Sequence, residues 1–331
     1  MNILIFEYIT GGGLADQPLP ASLAKEGDMI LSAAVNDFNV LPGCNVFVLR
    51  DHRLNSSVPG AHTVIVEPDD SYGNKLEAFA DKVHSMLIIA PENDDILCAL
   101  CKRYSEQSFE LLNSELQTIK LTSHKFATYQ YLLAHNIPQI PTCLAADIGS
   151  LEGEQFVMKP EDGVGCANTY LLAGRLELQA AASCSENGRN IFQPYIKGIH
   201  ASLSLLCWEG ACHVLSCNEQ RVQEEGEFLR WTGCIVGAFE NRLFTNFASQ
   251  IVQALPGLRG YIGVDVIITE NEILLVEINP RLTTSYVGLG AALGINPAQL
   301  IVQCFTDQKL PETVPACQFP IEVNLEEGYA C

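Results

Sequence analysis

The fold class is decided by two neighbouring segments, Gly260-Tyr261-Ile262-Gly263-Val264-Asp265-Val266-Ile267-Ile268 and Leu274-Leu275-Val276-Glu277-Ile278-Asn279-Pro280-Arg281. Their apolar, β-branched composition predicts two adjacent strands. Asp265 lies inside an apolar run, where an unpaired carboxylate is costly and is normally protonated, paired or bound to a cation. Glu277 and Asn279 are two positions apart, so both face one side of their strand, within reach of Asp265 on the neighbouring strand.

These three side chains offer only oxygen ligands, two carboxylates and one amide. Together with phosphate oxygens they would form the hard coordination shell that Mg²⁺ or Mn²⁺ prefers. We therefore predict that Asp265, Glu277 and Asn279 bind one or two divalent ions. Arg281 would add a fixed positive charge on the same face. The alternative is a structural salt bridge between Arg281 and one of the two carboxylates.

The overall composition narrows the classes of function. The chain has 331 residues, which indicates two or three lobes rather than one core. It has 19 Lys and Arg residues against 39 Asp and Glu residues, a net charge of −20. Such a charge disfavours binding to nucleic acid or to an anionic membrane surface and favours a small-molecule partner. No run of apolar residues is long enough to span a membrane, and no basic leader precedes the apolar N-terminus, so we expect no export signal.

The cysteines indicate a cytoplasmic location. There are 13, an odd number with scattered spacing, which argues against a disulfide framework in a chain of this length. Cys98 and Cys101 form a C-x-x-C pair, but they lie in an apolar segment that resembles the buried side of a helix. We interpret them as core residues rather than as a redox or zinc site.

The first third of the chain alternates strand-like and helix-like segments. Strands are predicted near Asn2–Phe6, Asn45–Leu49, Thr63–Val66 and Ser85–Ala90, with a helix over Gly27–Phe38. This alternation predicts a parallel sheet flanked by helices, an α/β domain. Further along, the period-two pattern from His200 to Cys217 predicts antiparallel strands instead, so that the whole chain combines α/β and α+β character.

A lysine and a glycine-containing loop mark a candidate phosphate site. Lys159 lies near the end of a predicted strand, Gln155–Pro160, and the loop Glu161–Cys166 follows it directly. Its glycines, Gly163 and Gly165, would allow backbone N–H groups to face a polyphosphate, and Lys159 would offer a mobile charge. An ordinary hairpin connection is the alternative.

In their order along the chain, these features resemble the ATP-grasp ligases. The resemblance rests above all on Gly260–Asp265 and on Glu277-Ile278-Asn279-Pro280-Arg281. The continuation to Leu289 and the opening Phe6-Glu7-Tyr8 with Thr10-Gly11-Gly12-Gly13 are most similar to the tyramine–glutamate ligase branch of methanofuran biosynthesis. The resemblance implies a pre-ATP-grasp domain over residues 1–112, a small ATP-grasp subdomain over 113–196, and a C-terminal ATP-grasp subdomain with the metal site over 197–331.

The resemblance also implies roles for individual residues. Lys125 and Lys159 would bind the phosphates of ATP, while Asp162, Gly163 and Gly165 would belong to the loop that covers them. The backbone around Gln193, Tyr195 and Ile196 would hold adenine. Some relatives place an arginine two residues before the metal-binding aspartate, where this chain has Gly263. Arg281 is therefore the preferred catalytic residue for stabilising the oxyanion, with Arg221 or Arg230 as alternatives.

The reaction implied is amide formation driven by ATP. The γ-carboxylate of glutamate would attack the γ-phosphate, and the amine of tyramine would then attack the acyl phosphate. A tyrosine-like acceptor would need a further cation for its carboxylate, supplied by Arg230, Lys197 or Arg221. Trp231 and Tyr286 would either flank the phenol ring or serve as packing residues. Homodimers are common in the family. The alternatives are another peptide or D-alanine-type ligase and a non-catalytic nucleotide-binding protein on the same fold.

Overall fold

The structure is a computed structural model and describes residues 1–54, 57–79, 81–163, 168–185 and 189–325. Two sheets organise the chain. The first is parallel and is formed from the N-terminal third, while the second is antiparallel and is formed from the remainder. This mixed α/β architecture confirms the predicted fold class.

The first sheet has the strand order β3-β2-β1-β4-β5, with parallel pairing throughout. Its strands are β1 (Asn2–Glu7), β2 (Asn45–Asp51), β3 (Ala61–Val66), β4 (Ser85–Ile89) and β5 (Glu110–Leu111). From β1 the sheet extends through β2 and β3 on one side and through β4 and β5 on the other. The direction of the chain across the sheet therefore switches between β1 and β4, at their carboxyl ends. Ligands bind at such a switch point in open α/β sheets because the connections there diverge and leave a crevice.

Helices pack on both faces of this sheet and continue into the next domain. They are α1 (Ala21–Asn39), α2 (Tyr72–Glu77), α3 (Ile96–Tyr104), α4 (Leu116–Thr122) and α5 (Lys125–Leu133). The buried face of α1 includes Ile30, Leu31 and Phe38, and this face shares one apolar cluster with Leu289 and Ile301 near the C-terminus. The two domains are therefore docked through a common core. Cys98 and Cys101 lie buried on α3, in agreement with a packing role.

The second sheet has the order β13-β12-β9-β10-β11-β7-β6-β8, and β14 pairs with β11. Its strands are β6 (Phe156–Pro160), β7 (Tyr170–Leu172), β8 (Asn190–Pro194), β9 (Ile199–Trp208), β10 (Ala211–Glu225), β11 (Phe228–Phe239), β12 (Gly260–Ile268), β13 (Ile273–Asn279) and β14 (Ile321–Asn324). A single pairing of Phe228 with Tyr170 joins its two halves. Because the sheet is continuous, the predicted boundary at residues 196 and 197 stays a prediction.

The remaining helices cover the second sheet. They are α6 (Arg175–Cys184), α7 (Thr245–Ala254), α8 (Tyr286–Leu293) and α9 (Pro297–Asp307), with 3-10 turns at Asn93–Asp95, Ala145–Ser150 and Asn241–Leu243. Ile251 of α7 packs with Leu205 of β9 and Ile262 of β12 in one buried cluster. In the described part of the chain no single helix has the length and apolar character of a membrane span. The pair α8 and α9 has both when taken together, but the two helices are bent by 96° relative to each other.

Candidate active site

A cavity of about 650 Å³ lies between the two domains. Its walls come from the carboxyl ends of β1 and β4, from α1, and from the concave face of the second sheet. Lys159, Asp265, Glu277, Asn279 and Arg281, all predicted from the sequence as site residues, line this one cavity. The fold therefore brings together side chains that are up to 122 positions apart in the chain.

Asp265 and Glu277 are direct partners in the antiparallel pairing of β12 and β13, with an irregularity in register immediately after them. The Asn279 side chain donates a hydrogen bond from Nδ2 to Asp265 Oδ2 at 3.0 Å. Gln220 on β10 donates from Nε2 to Asp265 Oδ1 at 2.6 Å. The three predicted metal ligands thus share one face, as the period-two spacing requires.

The charges of this face are unevenly compensated. Burial and the neighbouring Glu277 raise the pKa of Asp265 to about 7. Burial acts in the same direction on Glu277, but Lys125 and Lys159 outweigh it and lower the pKa of Glu277. Glu277 is therefore the ionised partner at neutral pH, and Asp265 bears the cost of a second negative charge beside it.

The donor set fits a divalent ion. Two facing carboxylates and an amide oxygen are hard ligands, and a cation between them would remove the repulsion that raises the pKa of Asp265. Among the described residues, no three His, Cys, Asp or Glu side chains lie close enough together to bind a metal ion by themselves. Phosphate oxygens would therefore have to complete the coordination shell, as expected for Mg²⁺ bound with a nucleotide.

Two lysines flank Glu277 from different elements. Lys125 begins α5, and its Nζ lies 3.5 Å from Glu277 Oε2 while donating a hydrogen bond to the carbonyl oxygen of Gly163. Lys159 extends from β6, with its Nζ 4.0 Å from the same carboxylate oxygen. Both side chains are largely buried, at 10% and 9% exposure. This places two positive charges beside the carboxylates, where a triphosphate would need them.

The glycine loop after β6 is described only in part. Gly163 contacts Lys125 as above, whereas Gly165 lies outside the described residues. Asp162 accepts a hydrogen bond from the backbone N–H of Asp94 at 2.9 Å, so its carboxylate contacts the first domain. The predicted covering of ATP phosphates by this loop stays a prediction.

The strand end predicted to hold adenine is positioned by its neighbours. Gln193 donates from Nε2 to Thr142 Oγ1 at 2.8 Å, so its side chain is occupied. The N–H of Tyr195 donates to the carbonyl oxygen of Gln155 at 2.9 Å. Within the described residues the N–H of Ile196 has no hydrogen-bond partner. Ile196 is thus the position whose backbone is available to a base edge.

Apolar side chains complete this end of the cavity. Ile140, Ile267 and Leu274 form a small buried cluster, with Ile196 and Val276 packed against it. Four of these residues, all except Leu274, also line the cavity. Such a surface suits a flat aromatic base, which gains from contact on both faces.

Arg281 makes a contact that the sequence did not reveal. Its Nε and Nη2 donate to Glu92 Oε1 and Oε2 at 2.9 and 3.0 Å, a bidentate ion pair between residues 189 positions apart. The side chains are 13% and 5% exposed. Nη1 also donates to the carbonyl oxygen of Leu282 at 3.2 Å. The partner of Arg281 is therefore neither Asp265 nor Glu277 but an acid at the carboxyl end of β4.

The other predicted arginines and aromatic residues are placed differently. Arg221 pairs with Glu322 and Asn324 on β14 and does not line the cavity. Arg230 lines the cavity and pairs with Glu225 at 3.0 Å, with 54% of its side chain exposed. Trp231 also lines the cavity. Tyr286 does not, since it is 1% exposed within the shared core, and is a packing residue.

Gly263 has no room for the arginine that some relatives place there. A Cβ atom at this position would lie 2.5 Å from Cγ2 of Thr283. Thr283 is held by hydrogen bonds of 3.0 Å between its hydroxyl and those of Tyr261 and Ser285. The side chain of Thr283 therefore occupies the space above this strand position.

Glu7 is a further acid that sequence reasoning did not single out. It ends β1 and is 4% exposed. Its carboxylate accepts hydrogen bonds from Ile9 N at 3.2 Å and from Thr10 N and Oγ1 at 2.6 Å. Burial raises the pKa of Glu7 despite these hydrogen bonds. The sequence signal that could have indicated Glu7 as a site residue was its position at the end of the first strand, shortly before a run of glycines.

Comparison with known proteins agrees with this geometry. Residues 44–119 match the pre ATP-grasp 3 domain family, and residues 122–285 match the ATP-grasp domain family. Two similar proteins are the tyramine–L-glutamate ligases of Methanocaldococcus jannaschii and Methanocaldococcus fervens. Each is 27% identical, over 97% and 96% of this chain and 94% and 99% of the relative.

Among solved structures, a putative ATP-grasp superfamily protein from Archaeoglobus fulgidus has a TM-score of 0.70 at 23% identity. The similarity covers 98% of this chain and 99% of the other. Together the two family matches account for most of the sequence, and they place the ATP-grasp domain around the cavity described above. The chain belongs to the ATP-grasp family, with an N-terminal pre-ATP-grasp domain, and is an ATP-dependent carboxylate–amine ligase.

Proposed function

We propose that this protein joins the γ-carboxylate of glutamate to the amine of tyramine, or of a similar aromatic amine, in the biosynthesis of a methanofuran-type coenzyme. The observation that carries the proposal is that Asp265, Glu277 and Asn279 line one cavity between the domains, with the buried amines of Lys125 and Lys159 beside Glu277. The names and near-complete coverage of the curated relatives support the choice of substrates.

The reaction would proceed in two balanced steps. An oxygen of the glutamate γ-carboxylate attacks the γ-phosphorus of ATP, the bond to the β,γ-bridging oxygen breaks, and ADP leaves. The neutral amine then attacks the acyl carbon, and its C–O bond to phosphate breaks, which releases inorganic phosphate and one proton. The protein acts mainly by positioning the reactants and by stabilising charge.

Each predicted residue would have a defined task in this scheme. Lys125 and Lys159 would bind phosphate oxygens, and Ile196 would meet the adenine edge through its backbone. Asp265, Glu277 and Asn279 would hold one or two Mg²⁺ or Mn²⁺ ions, which neutralise phosphate charge when bound. Arg281 has N–H groups left over from Glu92 that could donate to the tetrahedral oxyanion.

The setting of the enzyme is also part of the proposal. We infer a cytoplasmic location from the thirteen cysteines, of which the eleven in the described residues are free thiols. Small molecules would be its partners, in keeping with the net charge of −20. A homodimer is the expected assembly.

Mass spectrometry of the reaction products tests the function. The purified protein is incubated with ATP, Mg²⁺, glutamate and a mixture of aromatic amines. We expect a γ-glutamyl amide of tyramine, formed in equal amount to ADP. A dipeptide or another amide in its place would assign the chain to a different ligase specificity, and nucleotide binding without any product would refute catalysis.

A further inference from the structure

Apolar residues other than those at the predicted adenine end also line the cavity, and we treat them as a separate part of it. We call it the acceptor compartment, lined by Tyr8, Ile9, Leu23, Ile30 and Trp231. These residues come from the loop after β1, from α1 and from β11, so both domains contribute. The compartment suits an aromatic or aliphatic group rather than a strongly hydrated one.

The positively charged side chains that line the cavity each lie beside a carboxylate. In the described residues, the lysine and arginine side chains that line the cavity are Lys159, Arg230 and Arg281. Lys159 lies beside Glu277, and Arg230 pairs with Glu225. Arg281 is held in a bidentate pair by Glu92, in a site where both side chains are buried. A pair of this geometry leaves little net charge for another carboxylate.

Negative charge exceeds positive charge around Arg281. Glu26 lies within electrostatic reach of this guanidinium, in addition to the paired Glu92. The charge of Glu277 is compensated by Lys125 and Lys159. Glu7 lines the cavity within electrostatic reach of Arg281, is buried, and makes no ion pair within the described residues. A ligand entering here meets an excess of carboxylates, which attracts an ammonium group and repels a carboxylate.

We propose that Glu92 determines acceptor specificity: by neutralising Arg281, it makes the acceptor compartment select a primary amine without a carboxylate and reject the corresponding α-amino acid. Glu92 acts through Arg281 and is a positioning residue, not a catalytic one. The inference rests on the proposed function and adds to it the feature of this chain that separates tyramine from tyrosine.

Charge and size can be separated in the unaltered enzyme. Tyrosinamide has nearly the shape of tyrosine but lacks its negative charge. The kcat/KM values for tyramine, tyrosinamide and tyrosine are measured with saturating ATP and glutamate. Exclusion by charge predicts that tyrosinamide is used at least about tenfold better than tyrosine, the effect of one unfavourable charge contact in a partly desolvated site. Equal rejection of both compounds would show that size excludes them and would overturn the proposal.

Substitution of Glu92 tests the residue itself. In Glu92→Gln the charge of the Arg281 guanidinium is no longer compensated, and the ratio of kcat/KM for tyrosine to that for tyramine should rise by about tenfold or more. Glu92→Asp keeps the charge and should keep the wild-type ratio. Glu77→Gln removes an exposed glutamate–arginine pair, with Arg103, outside the cavity and serves as the control for loss of one carboxylate. An unchanged ratio in folded Glu92→Gln refutes the proposal.

Two further results keep the test decisive. If Glu92→Gln does not fold, equal rejection of tyrosinamide and tyrosine by the wild-type protein still refutes the proposal. If the wild-type protein forms no amide with tyramine, the proposed function fails, and this is recognised before any variant is compared.

Discussion

Asp265 and Glu277 face each other across β12 and β13. Two lysines stabilise the charge of Glu277, whereas Asp265 accepts hydrogen bonds from the side-chain amides of Gln220 and Asn279. Burial and the neighbouring carboxylate raise the pKa of Asp265 to about 7. An acid kept in such an environment costs stability, and a divalent cation would remove that cost.

Removing either carboxylate should separate stability from activity. We expect Asp265→Asn or Glu277→Gln to lower the rate of ADP formation by about a hundredfold or more, because each removes a carboxylate that would hold the divalent ion facing the reacting phosphates. For Asp265→Asn the melting temperature should not fall, since the substitution relieves repulsion. Coupled-enzyme kinetics and thermal unfolding measure the two effects. Glu272→Gln, in the exposed turn between the same strands, is the control; near-normal ligation by either site variant would contradict the metal assignment.

Lys159→Ala should chiefly weaken nucleotide binding. The amine of Lys159 lies 4.0 Å from Glu277 Oε2 in a largely buried position, where a phosphate contact is strong. Titration calorimetry with a non-hydrolysable ATP analogue should show a loss of affinity of about tenfold or more. Lys102→Ala, on the exposed side of α3, should bind the analogue like the wild type. An unchanged affinity of Lys159→Ala would remove this residue from the phosphate site.

Gly263→Ala should destabilise the fold through a single contact. Its Cβ atom would meet Cγ2 of Thr283 at 2.5 Å, and overpacking of this kind costs about 1–3 kcal/mol. Thr283→Ser removes Cγ2 but keeps the hydroxyl that bonds to Tyr261 and Ser285. Chemical unfolding of the double variant should therefore show partial recovery of the free energy lost. Absence of any recovery would mean that the cost arises elsewhere.

His124 should make the stability of the domain contact depend on pH. Its ring lies 2.8 Å from Glu161 Oε2 and 3.3 Å from Asp95 Oδ1. Burial lowers the pKa of His124, but the two carboxylates outweigh burial and raise it. Because the pKa of His124 is higher in the folded protein than in the unfolded chain, its protonation adds to the free energy of unfolding. This contribution is complete at pH values below the unfolded pKa and is lost as pH rises through the folded pKa.

The melting temperature of His124→Gln should accordingly fall below that of the wild type by more near about pH 6 than near about pH 8. Calorimetric scans across this range measure the difference. His135→Gln, at an exposed histidine just after α5, is the control variant. A difference that does not vary with pH would exclude an ion pair at His124.

The sequence allowed the local parts of this structure to be predicted, but not the contacts made by domain docking. The alternation of strand and helix predicted the parallel sheet, and period-two spacing placed Glu277 and Asn279 on one face. The bidentate pair of Glu92 and Arg281 joins residues 189 positions apart, and no spacing rule applies over that separation. From sequence alone, an acid such as Glu92 that follows a parallel strand is a candidate for helix capping or for a ligand contact, and neither use predicts a pair with Arg281.

Helix α8 was missed for a related reason. It is buried on nearly all sides against α1 and β14, so its sequence lacks the apolar and polar alternation that marks a surface helix. Gln220 was missed because it approaches Asp265 from β10, two strands away in the sheet order.

Isotope transfer tests the central claim most directly. Glutamate labelled with ¹⁸O in its γ-carboxylate is supplied with ATP, Mg²⁺ and tyramine, and the phosphate released is analysed by mass spectrometry. Activation through an acyl phosphate predicts one labelled oxygen in each phosphate, in step with formation of the γ-glutamyl amide. Unlabelled phosphate, or labelled phosphate without any amide, would contradict the account.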